Sequence, residues 1–289
     1  MKILYVALLG LLGAVSKGAE YSPGTGPDRE EIWVHCGDVS LLLRRKTQWT
    51  PGRFDFRKVA MTTHRSAYGT VFNYRGTGFI GTGHFENEPE ELQEVRFFMD
   101  GQRVDQPEQK LVGETFRFER VSKIRDFSLK NWIELRNGRI YETTSIATKV
   151  EVPLKLVYNF MHAWKPSVTQ FVAGRDDDPD NPVSGLFRND PEKDRGFHIS
   201  KSVDWVGVYE PESRQFAVSR ILKSPEGVKE ISMIWNVPGT YRKYYHTSFQ
   251  NTSVPAGFSG TWKMVTAFGT AEPEQFQAAA RKLAGALRD

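Results

Sequence analysis

The sequence predicts an all-β sandwich or barrel that ends in one helix. Three observations carry the expectation. Short runs rich in Val, Ile, Phe, Tyr and Thr recur along most of the chain, tight-turn dipeptides stand between them, and a helical period appears only near the C-terminus.

In the first half the runs are Val39 to Lys46, Thr70 to Tyr74, Glu94 to Asp100, Thr115 to Val121, Asn131 to Arg136 and Ile140 to Ala147. Asp100-Gly101 and Asn137-Gly138 separate consecutive runs, and both dipeptides favour the two-residue turns that join antiparallel strands. Phe116, Arg117, Phe118 and Glu119 alternate apolar with polar, as a strand with one buried face should. The second half repeats the pattern at Leu154 to Phe160, Val203 to Tyr209, Gln215 to Leu222, Lys229 to Trp235, Arg242 to Phe249 and Gly260 to Phe268. No fixed-period repeat points to a propeller or solenoid. Between Arg175 and Arg195 the strand pattern lapses into a long stretch of Asp, Pro, Asn and Gly, which reads as a loop. The helix follows Glu272-Pro273-Glu274, an acidic first turn with proline, and Phe276, Ala280, Leu283, Ala284 and Leu287 share one face. It is expected to pack across the outside of a sheet.

Composition sets the wider frame. A chain of 289 residues that is 39% hydrophobic, 26% charged and 12% aromatic has the means to build a large core, which excludes a disordered or fibrous protein. Met1 and Lys2 precede an apolar run from Ile3 to Val15 and then the small residues Ser16, Gly18 and Ala19, the layout of a secretory signal peptide over residues 1–19. That run is too short to span a membrane, which takes about 20 apolar residues. Loss of residues 1–19 removes Lys2 and Lys17 and lowers the formal charge from +4 to +2, so the basic balance does not by itself call for an acidic partner. Residues 20–289 are expected to form a single domain, exported to the periplasm or secreted by a bacterium. With Cys36 the only cysteine, that domain must hold together without an internal disulfide. Cys36 itself reads as a half-buried strand residue.

The sequence lacks a phosphate loop, a dinucleotide fingerprint, a GxSxG elbow and an HExxH helix, so the common nucleotide, serine-hydrolase and zinc-protease chemistries have no support. Basic residues are dispersed, which disfavours nucleic acid. The informative stretches are Phe54-Asp55-Phe56-Arg57, Thr63-His64-Arg65-Ser66, Gly81-Thr82-Gly83-His84-Phe85-Glu86, Glu94 to Gly101, Tyr158 to Trp164 and Asp204 to Tyr209. In layout these resemble secreted members of the galactose mutarotase-like superfamily. The resemblance covers most of residues 30–270 and implies a large two-sheet supersandwich that binds a sugar on a concave sheet face.

Opening or epimerising a sugar ring needs a proton donor and a proton acceptor, and histidine with a carboxylate suits that work near neutral pH. His84 and Glu86, two apart on a strand, would share a face. His162 stands at the end of an apolar strand, so His84, His162 and Glu86 are the expected catalytic groups. His64, Arg65, Trp164, Arg242, Tyr245 and His246 are expected to bind substrate, through aromatic stacking on the sugar ring and polar contacts to its hydroxyls. A polysaccharide lyase acting on uronate-containing glycans is an alternative, with Arg65, Arg242, Tyr245 and His246 as its cation and base. A sugar-binding protein without catalysis is another. No organic cofactor and no dedicated metal site are expected; the aspartates of the Asp176–Asp190 stretch would at most hold calcium. The expected partner is a carbohydrate, with the protein a monomer or weak dimer.

Overall fold

The computed structural model describes residues 31–64, 69–84 and 87–288, so the expected signal peptide lies outside the described residues, as do Arg65 and Glu86. The strands fall into three sheets. The largest has ten strands in the order β15 (Val183–Leu186), β14 (Gln170–Gly174), β17 (Trp205–Glu210), β18 (Gln215–Lys223), β22 (Ser259–Thr270), β12 (Arg139–Thr148), β11 (Phe127–Arg136), β10 (Phe116–Ile124), β7 (Glu91–Met99) and β8 (Gln102–Arg103). A second sheet runs β16 (Gly196–Lys201), β19 (Glu230–Val237), β20 (Tyr241–Ser248), β13 (Val152–Trp164), β5 (Val71–Tyr74) and β6 (Gly78–Gly81), with β21 (Ser253–Val254) paired to β13. The third is β4 (Val59–Ala60), β3 (Thr50–Phe56), β2 (Val39–Arg44), β1 (Glu31–Cys36) and β9 (Lys110–Gly113). Pairing is antiparallel apart from β1 with β9.

The second and third sheets together form the layer that faces the ten-stranded one. Phe72 of β5 stacks on Phe127 of β11 at 4.2 Å between ring centroids, and Phe56 of β3 stacks on Phe268 of β22 at 5.4 Å. A bridge between Thr62 and Trp164 joins the two smaller sheets at their seam. The architecture is therefore the predicted all-β sandwich, with one of its two layers split.

The local chemistry explains much of this. Both turn dipeptides do what their sequence asks: Asp100 and Gly101 have φ of 50° and 78°, Asn137 and Gly138 have 54° and 68°, and they close the β7–β8 and β11–β12 hairpins. In β10 the alternation turns Phe116, Phe118 and Ile124 inward and leaves Arg117 and Lys123 in solvent. The Arg175 to Arg195 stretch departs from the expectation of a continuous loop, because Val183–Leu186 adds an edge strand to β14. Cys36 is fully buried rather than half-buried, since the face of β1 that carries it looks into the core.

The helix α1 (Phe276–Gly285) follows a 3-10 turn at Pro273–Gln275 and lies on the outside of the ten-stranded sheet. Phe276, Ala280, Ala284 and Leu287 are buried against Val172, Trp205, Tyr209 and Phe216. Close approach requires Gly207, where an added Cβ would come within 3.1 Å of the Ala280 methyl. Among the described residues no helix is long and apolar enough to cross a membrane.

Candidate functional site

The sandwich interior is mostly apolar, but it encloses a row of buried polar side chains. On the inner face of the ten-stranded sheet, Arg120, Asn131, Thr144 and Trp262 form one row across β10, β11, β12 and β22, each opposite the next in register. Asn131 Nδ2 donates to Thr144 Oγ1 at 2.8 Å. Arg120 Nη2 donates to Glu90 Oε2 at 2.8 Å, and Glu90 Oε1 accepts from Thr82 Oγ1 at 3.0 Å. Both members of the Arg120–Glu90 pair are buried. Arg120 Nε and Nη1 and Asn131 Oδ1 have no partner among the described residues. They line a chamber of about 30 Å³, room for about one water molecule. Polar groups left with unmet hydrogen-bonding capacity inside a core are costly, and such clusters gather where a protein does chemistry.

Two histidine–glutamate pairs flank this row. His162 Nε2 donates to Glu142 Oε2 at 2.7 Å, joining β13 of one layer to β12 of the other. The pair is sealed between the edges of Phe54 and Trp164, 4.9 and 5.5 Å from the imidazole. His246 Nε2 donates to Glu230 Oε2 at 2.9 Å within the seven-element sheet, and Glu230 Oε1 accepts the indole N–H of Trp262 from the facing layer. Glu230 differs from Glu142 in its outlook. It lines a cavity of about 640 Å³ at the end of β19 and β20, walled by Phe249, Phe258, Gln250, Asn251 and Thr252, with Glu226 and Lys229 also on its lining. That volume is in the range of pockets that take small organic ligands.

The residues singled out from sequence are dispersed by the fold. His162 and Trp164 point into the interior, and the carboxylate that meets His162 is Glu142. His84 lies in the turn after β6, with its ring 5.5 Å from that of Phe79, which belongs to the cluster of Tyr158, Met161 and Tyr245 on the other face of the same sheet. A backbone irregularity between Asn159 and His162, with φ of 56° at Phe160, separates the two faces: Tyr158 looks outward and His162 inward. Tyr245 lies with Tyr158 on the outer face, and Lys243 Nζ sits over both rings at 4.9 and 4.6 Å. His64 is exposed and bonds Glu31 at 3.1 Å. Arg242 is fully buried and ties loop to sheet: its donors reach Asn236 Oδ1 at 2.6 Å, Asn189 Oδ1 at 2.7 Å and the carbonyl oxygens of Pro166 and Val168. Burial pulls its pKa down, with Asp194 opposing. Of the expected substrate-binding set, His246 is the one whose partner opens onto a ligand-sized cavity.

Sequence reasoning missed Glu230, Glu142, Trp262, Arg120 and Glu90. One signal was present: Glu142 shares a strand face with Ile140 and Ile146, an acid on an apolar stripe. In the Asp176–Asp190 stretch, Asp176 meets Arg220 and Arg288, Asp177 meets Arg175, Asp178 accepts from Asn181, and Asp190 accepts from two backbone N–H groups. Among the described residues no group of three or more His, Cys, Asp or Glu side chains is arranged to hold a metal ion.

The fold is similar to that of solved galactose mutarotase-like proteins. The chain superposes on a galactose mutarotase-like protein from Lactobacillus casei with a TM-score of 0.52 at 8% identity, over 83% of this chain and 100% of that one. The Slr1438 protein from Synechocystis gives 0.52 at 12% identity, over 87% and 100%. The GH36 alpha-galactosidase AgaB from Geobacillus stearothermophilus gives 0.52 at 8%, over 87% of this chain and 41% of the enzyme. At such identities the likeness is one of fold. No protein-family model matches the sequence. No curated protein matches it either.

Proposed function

We propose that the chain is an exported carbohydrate-active protein that takes a sugar in the pocket lined by Glu230, whose carboxylate His246 holds from behind. The observation that carries the reading is that pair itself: a carboxylate fixed by an imidazole and an indole N–H at the wall of a 640 Å³ cavity with two phenyl rings and a rim of amides and hydroxyls. Aromatic faces with convergent polar groups are what a pyranose requires. The fold adds support, since its structural relatives include a galactose mutarotase-like protein and an alpha-galactosidase.

The chemistry that fits is proton exchange at a sugar hydroxyl. As the C1–O5 bond opens, Glu230 takes the proton of the anomeric hydroxyl and water in the open pocket supplies one to the ring oxygen. The hydroxide so formed is neutralised by the proton that Glu230 holds, and closure on either face gives either anomer. His246 acts as a positioning residue, holding one carboxylate oxygen so that the group presents a fixed lone pair.

Calorimetric titration with common hexoses and polarimetry of freshly dissolved sugar test the reading. The expected result is saturable binding with accelerated mutarotation, and a loss of acceleration in Glu230→Gln. Binding without acceleration would leave a sugar-binding protein. Ultraviolet-absorbing unsaturated product from alginate or pectate would assign a lyase instead. Export is tested by N-terminal sequencing of the protein recovered outside the bacterial cytoplasm, with a start within or just past residues 17–20 expected.

A further inference from the structure

The outer face of the ten-stranded sheet is only half covered. Helix α1 lies over β14, β17, β18 and β22, where it buries Val172, Trp205, Phe216 and Val265. On the other half, the outward side chains of β10 and β11, from Arg117 to Lys123 and from Ser128 to Arg136, are exposed or half-buried. Phe98, Arg117, Glu134 and Tyr141 stand in one row across β7, β10, β11 and β12, and Arg96, Glu119, Trp132, Thr143 and Lys263 form the next. A depression of about 350 Å³ opens along the first row, between Phe98, Arg117, Glu134 and Arg136. Phe98 and Trp132 are large rings that belong to no buried cluster. Guanidinium groups already cover two rings of this face, Arg117 over Phe98 at 5.1 Å and Arg136 over Tyr141 at 3.9 Å, whereas the half-buried Trp132 has no ring or cation over it among the described residues. The charges of the face do not balance. Its acids are neutralised in place, Glu119 by Arg96 and Arg117 and Glu134 by Arg136. Lys130, Arg139 and Lys263 form no ion pair among the described residues, which leaves a positive excess around the open indole.

We infer that this face binds an acidic polysaccharide, a chain of pyranose rings that carry carboxylates. Trp132 offers an apolar ring for a pyranose to lie on, and Glu119 and Glu134 beside it accept hydrogen bonds from sugar hydroxyls. Lys130 is two residues along β11 from Trp132, about 7 Å away, and Lys263 is two strands across in the same row, about 10 Å away. Cations at those distances meet the carboxylates of neighbouring sugars on one chain. A nucleic acid is the poorer match, because its phosphates would face the same two glutamates without hydroxyls to give them. The surface shares no residue with the lining of the Glu230 pocket and goes beyond the function proposed for that pocket.

Calorimetric titration with a galacturonate hexamer, maltohexaose and a thymidylate hexamer tests it. The galacturonate hexamer should bind at least about tenfold tighter than either of the others. Its affinity should fall as salt is raised from about 20 mM to about 200 mM. Trp132→Ala and the double variant Lys130→Glu/Lys263→Glu should each weaken it by at least about tenfold. Should Trp132→Ala fail to fold, the charge reversal decides, because both lysines are exposed and its folding is checked by circular dichroism. Equal or tighter binding of maltohexaose or of the thymidylate hexamer overturns the inference, and so does a galacturonate affinity that neither variant changes, which would place the glycan elsewhere on the protein. Absence of binding by the galacturonate hexamer overturns it as well. The hexose titration of the Glu230 pocket is a separate measurement, so either reading can fail while the other stands.

Discussion

Glu230 of β19 and Trp262 of β22 belong to facing layers of the sandwich, and the indole N–H of one donates to the carboxylate of the other. The bond holds the two layers in register at the inner end of the pocket and fixes one oxygen of the acid. Trp262→Phe keeps most of the ring volume and deletes the donor. It should destabilise the protein by about 1–3 kcal/mol, the cost of stranding a buried acceptor, and should weaken sugar binding in parallel. Chemical denaturation followed by titration measures both; unchanged stability would mean that water replaces the indole.

The interior pair Glu142–His162 also joins the two layers, with His162 fully buried and Glu142 largely so. His162→Ala leaves a buried carboxylate facing apolar rings and should cost about 3–5 kcal/mol. A Glu142→Leu/His162→Phe double variant removes both polar groups and should cost less than the two single changes together. Denaturant titration of the four proteins gives the coupling directly, and additive losses would show that the two side chains do not stabilise one another.

These two pairs mark the limit of what the sequence reveals. Strand positions, both hairpin turns and the outer helix follow from local rules, since φ > 0 at Asn137-Gly138 or a shared face for Phe276, Ala280 and Ala284 depends on near neighbours only. The site does not. Period-two alternation assigns polar residues to solvent, whereas Arg120, Asn131 and Thr144 align across three strands on the inner face, which only the register reveals. At His162 the irregular backbone at Phe160 breaks the alternation outright, so counting from Tyr158 puts the imidazole on the wrong face. Glu230 and His246 meet across paired strands, and their separation of 16 positions carries no motif. His246 was legible as a polar residue beside tyrosines; the acid that gives it a role was not.

Cys36 offers a check on the core. Its thiol is buried on β1, and burial, with a smaller contribution from the charge of Asp100, pushes its pKa up to about 12. The thiolate is the reactive form, so the folded protein should resist a thiol reagent at pH 8 over hours, while protein in denaturant should react to one equivalent within minutes. Ready labelling under native conditions would show that β1 opens on that timescale.

The same burial predicts a loss of stability in alkali. Tyr244 and Tyr245 have pKa values raised to about 12, in each case chiefly by desolvation, and Cys36 is raised alike. In the unfolded chain these groups ionise at ordinary values, about 8.5 for cysteine and about 10 for tyrosine. Between those values and pH 12 the unfolded chain therefore binds fewer protons than the folded one, and the free energy of unfolding falls as pH rises. Each group contributes a slope of up to about 1.4 kcal/mol per pH unit across its own window. Stability should hold level from pH 7 to 8, decline gently above pH 9 as the cysteine separates from its unfolded value, and fall more steeply above pH 10 when Tyr244 and Tyr245 join, together with Tyr74 and Tyr209, which burial also raises. Denaturant midpoints measured at half-unit steps trace the curve, and Tyr245→Phe should flatten its upper limb by about one group's share. A midpoint independent of pH up to 11 would mean that the phenols ionise within the fold.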